Sequence, residues 1–377
     1  MRRRMRVLKL ALACLSLSLV AARCEYRSQP YFDRLEALAG AGQPPDVGYM
    51  DALRAPEYIR DGRLTPLDTL FDPDDRADFY EPLLRMFQRD GVTYACPRDF
   101  QTVALLVNQD MFDEAGVLVP GTWGELWDAA QVLTDLDAGV RGLGLTPNLW
   151  NWLPFLFQAG GALFDESGTE LTLETPEAED ALNFYTDLHL AEFARMPPED
   201  QSWPLIEGRN WLIQAFAGQE VAMILGANDS YVALQGLEAG FNLRVAELPA
   251  GPGGRGTIPY VAGFGLFDGF APVQPASALL QFTCSREGTR IWAESAIYMP
   301  ARRSLRQEWV EMHPDAVAFI NGVEHAFSYQ PARASFEAIA EFDEQATGIL
   351  DDAMRGEILV VEALRQLQNA GAELLQE

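Results

Sequence analysis

The sequence predicts an α/β protein folded as two lobes, and three observations support this. Its 377 residues, 48% of them hydrophobic, are more than one compact core usually organises. Apolar runs of strand length alternate with helical stretches along most of the chain, the pattern of α/β layers with largely parallel sheets. The helix starts are well marked. Thr122 is followed three residues later by Glu125, a capping pair, and Thr175-Pro176 places a capping hydroxyl before a proline whose missing N–H costs nothing in the first turn.

The elements follow in order. Residues 1–22 carry Arg2, Arg3, Arg4, Arg6 and Lys9 ahead of the apolar run Leu10 to Ala22, with no acidic residue, which is the build of a secretory signal. Cys24 leaves two outcomes open, a lipid anchor or plain cleavage after Ala22, because Arg23 stands where a lipoprotein signal has a small residue. Tyr31, Leu35 and Leu38 have helical spacing, Asp46 to Met50 reads as a short buried strand, and Pro56 to Ile59 as a helix ending near Gly62. The stretch from Gly91 to Trp127 reads as strand, polar turn, strand, short helix, loop and capped helix. Its polar junction is Pro97 to Gln101, and Val103 to Val107 is its buried strand. Gly251 to Gly256 reads as a flexible low-complexity loop with no Lys-Ser/Thr and helix to make it a phosphate cradle, and a last helix starts near Ile358.

Composition narrows the function classes. The formal charge is −27, and it falls to about −32 once the five cations of residues 1–22 are removed, so nucleic acid and anionic lipid are excluded as partners. Cysteines are sparse. Cys96 and Cys284 fall in segments that read as buried strand or helix; they could pair in an oxidising compartment, but two small buried hydrophobes is the reading their spacing favours. The three histidines (His189, His313, His325) form no HExxH, and no GxSxG nucleophile motif is present, so catalysis has no support. No cofactor and no metal site is expected.

Several landmarks come in a fixed order: PPDV at 44–47, the 91–127 stretch, Gly160-Gly161, Thr175-Pro176, Gln219 to Met223 leading to Gly226, Gly263-Phe264-Gly265 and Met299 to Arg302. In that order and spacing the chain resembles the family 1 extracellular solute-binding proteins, the maltose-binding-protein-like subunits of bacterial ABC importers. The resemblance spans roughly residues 26 to 375 and implies a two-lobed type II periplasmic-binding-protein-like fold with a hinge. It places one lobe at 23–101 and 264–305 and the other at 102–258 and 312–377, with crossings near 100–102, 258–263 and 304–312. Relatives open with a strand and helix, and the resemblance implies that these are shortened or missing here, since only Glu25 to Gln29 separates the signal from Tyr31, unless residues 7–22 substitute for that strand.

A sugar site needs aromatic platforms beside amides, carboxylates and guanidinium groups. Asn148 to Trp152 supplies that mixture, with Trp150 first and Asn151 second as ligand contacts; packing of the lobe by Trp150 and Trp152 is the alternative. Asp51 and Arg54 follow a strand end, where ligand crevices of α/β sheets lie. The resemblance adds Asp99 and Gln101 at the first crossing, Asn228 and Asp229 after Gly226, Phe264, and Arg302 in a turn that often reaches the ligand, with a surface salt bridge as the equal alternative for Arg302. It implies a monomeric, periplasmic or otherwise extracytoplasmic protein that closes over a carbohydrate and presents it to a membrane permease. A sensor or scaffold descended from such a protein, and a secreted hydrolase, are the rivals.

Overall fold

A computed structural model describes residues 29–71, 73–198, 205–237, 240–267, 274–294, 298–332 and 334–374. The expected signal at 1–22, the alternative strand at 7–22 and Cys24 lie outside the described residues. The strands are β1 (Val47–Asp51), β2 (Gln88–Arg89), β3 (Val92–Thr93), β4 (Ala95–Thr102), β5 (Ala104–Asn108), β6 (Leu143–Gly144), β7 (Ala194–Arg195), β8 (Met223–Gly226), β9 (Leu243–Ala246), β10 (Pro259–Leu266) and β11 (Met299–Pro300). They form a four-stranded sheet in the order β1-β10-β4-β11, a small β2-β3 hairpin, and a five-stranded sheet in the order β7-β6-β8-β5-β9. This is a mixed α/β architecture with one sheet for each of two lobes.

The sheets are less parallel than the alternation of strands and helices suggests. Every pairing of the first sheet is antiparallel, and in the second only β6 pairs in parallel, with β7 and β8. The reason is connectivity. A parallel neighbour needs a long crossover, usually a helix. Here β10 returns from the second sheet and inserts between β1 and β4, so it runs against both.

The segment from Pro97 to Gln101 corrects the polar-turn reading, because it lies inside the eight-residue strand β4, buried throughout. A bulge accounts for its polarity. Ala262 pairs with Asp99 but Gly263 pairs with Pro97, so Arg98 has no ladder partner, and it turns to form an ion pair with the neighbouring Asp99. Proline is tolerated at such a break.

Only Val103 separates β4 from β5, so the chain passes between sheets in one residue. In β5, Leu105 and Val107 pack into one core cluster with Phe112 and Trp152, while Leu106 packs into the other with Leu212 and Phe216. A strand buried on both faces reads as a continuous apolar run, as this one does. The second passage leads from β9 to β10. Thr257 there donates its hydroxyl to the Val103 carbonyl at 2.8 Å and pairs through its backbone with His325 and Phe327.

Helix starts agree with the caps read from sequence. The Thr122 hydroxyl accepts from Glu125 N, and the Thr175 hydroxyl from Ala178 N. The Gly251 to Gly256 loop is packed, contrary to expectation. A Cβ on Gly253 would fall 2.3 Å from the Gly160 nitrogen, and one on Gly251 would fall 2.6 Å from the Gln158 carbonyl oxygen. These glycines serve close backbone approach.

Cys96 and Cys284 are also a correction. They form a disulfide, with Cα atoms 6.2 Å apart, that joins β4 to the end of the helix Gln274–Cys284 across 188 residues of sequence. Each does occupy buried strand or helix, but packing of that helix over the first sheet brings the two sulfurs together.

Candidate functional site

The helix Leu149–Gln158 sets the site. Asn148 caps it, its side-chain oxygen accepting from Asn151 N at 3.1 Å, and its own Nδ2 donates to the Thr146 hydroxyl at 2.8 Å. This fixes the first turn. Trp152 faces inward and is fully buried, whereas Trp150 and Asn151 are half-buried and turn towards a cavity that is partly open to solvent.

That cavity lies where the two sheets meet. Its walls include Gln101 and Thr102 from β4, Trp150 and Asn151, Asp229 and Ser230 from the start of the helix Asn228–Gly236, and Tyr260 from β10. Among the described residues, Asn151 Oδ1 is a buried acceptor with no hydrogen-bond donor. Asp229 stands in the first turn of its helix, where its charge suits the helix dipole, and accepts from Ser230 N at 2.7 Å.

Gln101, Trp150, Asn151 and Asp229 are therefore brought together on one surface. The other expected contacts are placed elsewhere. The Asp51 carboxylate accepts a hydrogen bond from the Tyr260 hydroxyl and another from Leu53 N at 2.8 Å, so it stands behind Tyr260. Burial raises its pKa, and these hydrogen bonds partly offset the rise. Asp99 is held by Arg98 and Trp292; burial raises its pKa in spite of the ion pair, and it does not reach the cavity wall. Arg54 is buried, with its guanidinium 3.6 Å from the Phe336 ring centroid and 4.4 Å from that of Phe32. Asn228 is buried beneath the wall that its neighbours form. Phe264 packs in the core cluster that holds Leu106, Leu212 and Phe216, under the Arg98 guanidinium.

Arg302 has a structural role in place of the expected ligand contact. It is 1% exposed, donates to the Cys284 carbonyl at 2.8 Å and pairs with Asp75 and Asp78 at 2.9 and 3.0 Å. A guanidinium buried this deeply is costly unless such partners compensate its desolvation. Sequence reasoning missed Tyr260, Thr102 and Ser230. Tyr260 was within reach of it, as an aromatic residue inside the expected 258–263 crossing.

A second cavity, also partly open to solvent, shares Trp150 with the first. It is lined by Leu53, Leu163, Phe164, Tyr329 and one face of the helix Phe336–Met354. Trp150 and Tyr329 meet edge to face there, with ring centroids 5.3 Å apart.

The family model described as bacterial extracellular solute-binding protein matches residues 22–318. The chain belongs to this family. Members are binding proteins, and their place is outside the cytoplasm. Among the described residues of this solute-binding protein no helix is long and apolar enough to cross a membrane. A Brucella abortus protein named only as a binding protein is 23% identical over 314 residues, covering 81% of this chain and 74% of its own.

Solved structures agree on the fold. The GacH receptor of Streptomyces glaucescens, studied unliganded and with acarbose, is 26% identical with a TM-score of 0.73, covering 92% of this chain and 87% of its own. The cyclic α-maltosyl-1,6-maltose binding protein of Arthrobacter globiformis has a TM-score of 0.79 at 21% identity, covering 92% and 88%. The sugar-binding protein MalE of Xanthomonas citri has a TM-score of 0.79 at 19% identity, covering 92% and 87%. These are two-lobed maltose-binding-like proteins, the fold that the sequence order implies.

Proposed function

We propose that this solute-binding protein takes a neutral sugar, oligosaccharide or polyol between its lobes and delivers it to the permease of an ABC importer. The wall of the first cavity carries the reading. The indole of Trp150 offers an apolar face to C–H surfaces, and Gln101, Asn151, Asp229 and Tyr260 offer donors and acceptors to hydroxyls. The free acceptor at Asn151 Oδ1 is a buried polar atom that a ligand hydroxyl would satisfy. The likeness to a receptor solved with acarbose supports a carbohydrate.

In this reading residues 29–101 and 264–325 form one lobe, with Ala316, Phe319, Ile320 and Val323 in its core, and residues 102–258 and 327–374 form the other. The chain crosses at Val103 and between Thr257 and Pro259. The pairing of Thr257 with His325 and Phe327 favours a third crossing near 325–327 over one at 304–312. Asp51 orients Tyr260 at the cleft. Delivery requires closure of the lobes over the ligand, because the permease must distinguish loaded from empty protein.

Titration with a panel of neutral oligosaccharides and polyols, read by solution scattering and thermal melting, tests this. One member should shrink the radius of gyration and raise the melting temperature by mass action on the native state. If no member changes either quantity, the importer reading gives way to a scaffold or sensor.

A further inference from the structure

The second cavity departs from the first in one respect. On the helix Phe336–Met354, Phe336, Ile339, Ala340 and Asp343 recur at positions i, i+3, i+4 and i+7, which is one helical face, and that face lines the cavity. Three of the four are apolar, as are Leu53, Leu163 and Phe164 opposite. The fourth is a carboxyl group. Among the described residues the Asp343 side chain has no hydrogen bond and no ion pair; beyond the bonds of its helix, its backbone carbonyl accepts from the Thr347 hydroxyl at 2.8 Å.

An acidic side chain on an otherwise apolar face is costly unless a partner compensates it. Burial alone raises the Asp343 carboxyl to about 6, and no neighbouring charge opposes that rise. Arg54, whose guanidinium lies over the Phe336 ring of the same helix, acts on the Asp51 and Glu36 carboxylates. The cavity thus joins a half-buried carboxyl that has no side-chain partner to the aromatic rings of Trp150, Phe164 and Tyr329. Negative charge with π faces around an apolar space is the chemistry that recognises an organic ammonium ion.

We propose that the second cavity is a cation subsite that accepts an organic ammonium group, with Asp343 as its counter-charge and Trp150 as the wall it shares with the first cavity. The inference rests on the binding reading only through that shared indole. Two sources of the group are compatible with it: a small free organic cation, or an amino substituent on the molecule that fills the first cavity.

The full chain is titrated by calorimetry at pH 7 with two matched pairs, benzylammonium against benzyl alcohol and glucosamine against glucose. The expected result is that the charged member of at least one pair binds about tenfold or more tighter than its neutral partner. Preference in the benzyl pair alone assigns a free cation, and preference in the sugar pair assigns a ligand-borne amine. Asp343→Asn, which is nearly isosteric, should bring the ratio to about one, and Asp343→Glu should keep it, with thermal unfolding confirming that each variant is folded. Equal affinities within both pairs, or a preference that survives Asp343→Asn, would overturn the proposal. Neither result bears on whether a neutral sugar binds at Asn151, so failure here and failure of the carbohydrate reading stay distinguishable.

Discussion

The hydroxyl of Thr257 donates to the Val103 carbonyl at 2.8 Å, tying together the two passages by which the chain moves between its sheets. Both residues are buried, so neither partner can turn to water. Thr257→Val keeps the shape and removes the donor, leaving a buried carbonyl unsatisfied. The expected loss is about 1–3 kcal/mol of stability, read as a lower denaturant midpoint with an unchanged slope. A variant as stable as the parent would mean that this bond does not hold the two passages together.

Trp150 and Trp152 should behave in opposite ways. Trp150 is half-buried on the wall of both cavities, and stacking contacts of this kind are worth on the order of 1–3 kcal/mol, so Trp150→Ala should weaken ligand binding roughly tenfold to a hundredfold. Trp152 is fully buried, and its truncation should cost about 3–5 kcal/mol of stability. Affinity and denaturant midpoint measured on both variants separate the two roles. Lost stability with unchanged affinity in Trp150→Ala would return that residue to the packing of the lobe.

The sequence made the fold legible wherever local rules decide the structure. The Thr122 and Thr175 caps and the β5 run depend on neighbours a few residues away. What it concealed depends on residues far apart in the chain. The antiparallel first sheet follows from β10 returning between β1 and β4, and the strand character of Pro97 to Gln101 from a bulge against Gly263. The site shows the same division. Trp150 and Asn151 are adjacent on one capped helix and stand out together, whereas Asp51 and Tyr260 meet across 209 residues, so the sequence could not show that the tyrosine stands in front. Arg302 was misread for a similar reason, because its partners Asp75 and Asp78 lie more than 220 residues earlier.

The Cys96–Cys284 disulfide closes a loop of 188 residues, and such bridges typically contribute about 2–4 kcal/mol by restricting the unfolded chain. Reductant, or the double substitution Cys96→Ala with Cys284→Ala, should lower the denaturant midpoint accordingly. Non-reducing peptide mapping of protein from an oxidising compartment should recover the two cysteines in one linked peptide pair. Free thiols there would contradict the pairing.

Asp343 should also leave a mark on the pH dependence of stability. Its folded pKa is raised from 3.8 to about 6, so between those values the native chain holds a proton that the unfolded chain has released. Stability then falls as pH rises, because the slope follows the protons bound in the unfolded state minus those bound in the native state, and here that difference is negative. The contribution is fully present below about pH 4 and is lost as pH passes through 6. Asp343→Asn removes the titration, so at pH 7 the variant should be more stable than the parent by roughly 1–2 kcal/mol, a figure reduced for the partial exposure of the side chain. The two denaturation curves should converge near pH 4. Parallel curves over that range would mean that the carboxyl is solvated well enough to titrate normally, and Asp343 would then carry no buried charge for a cation to answer.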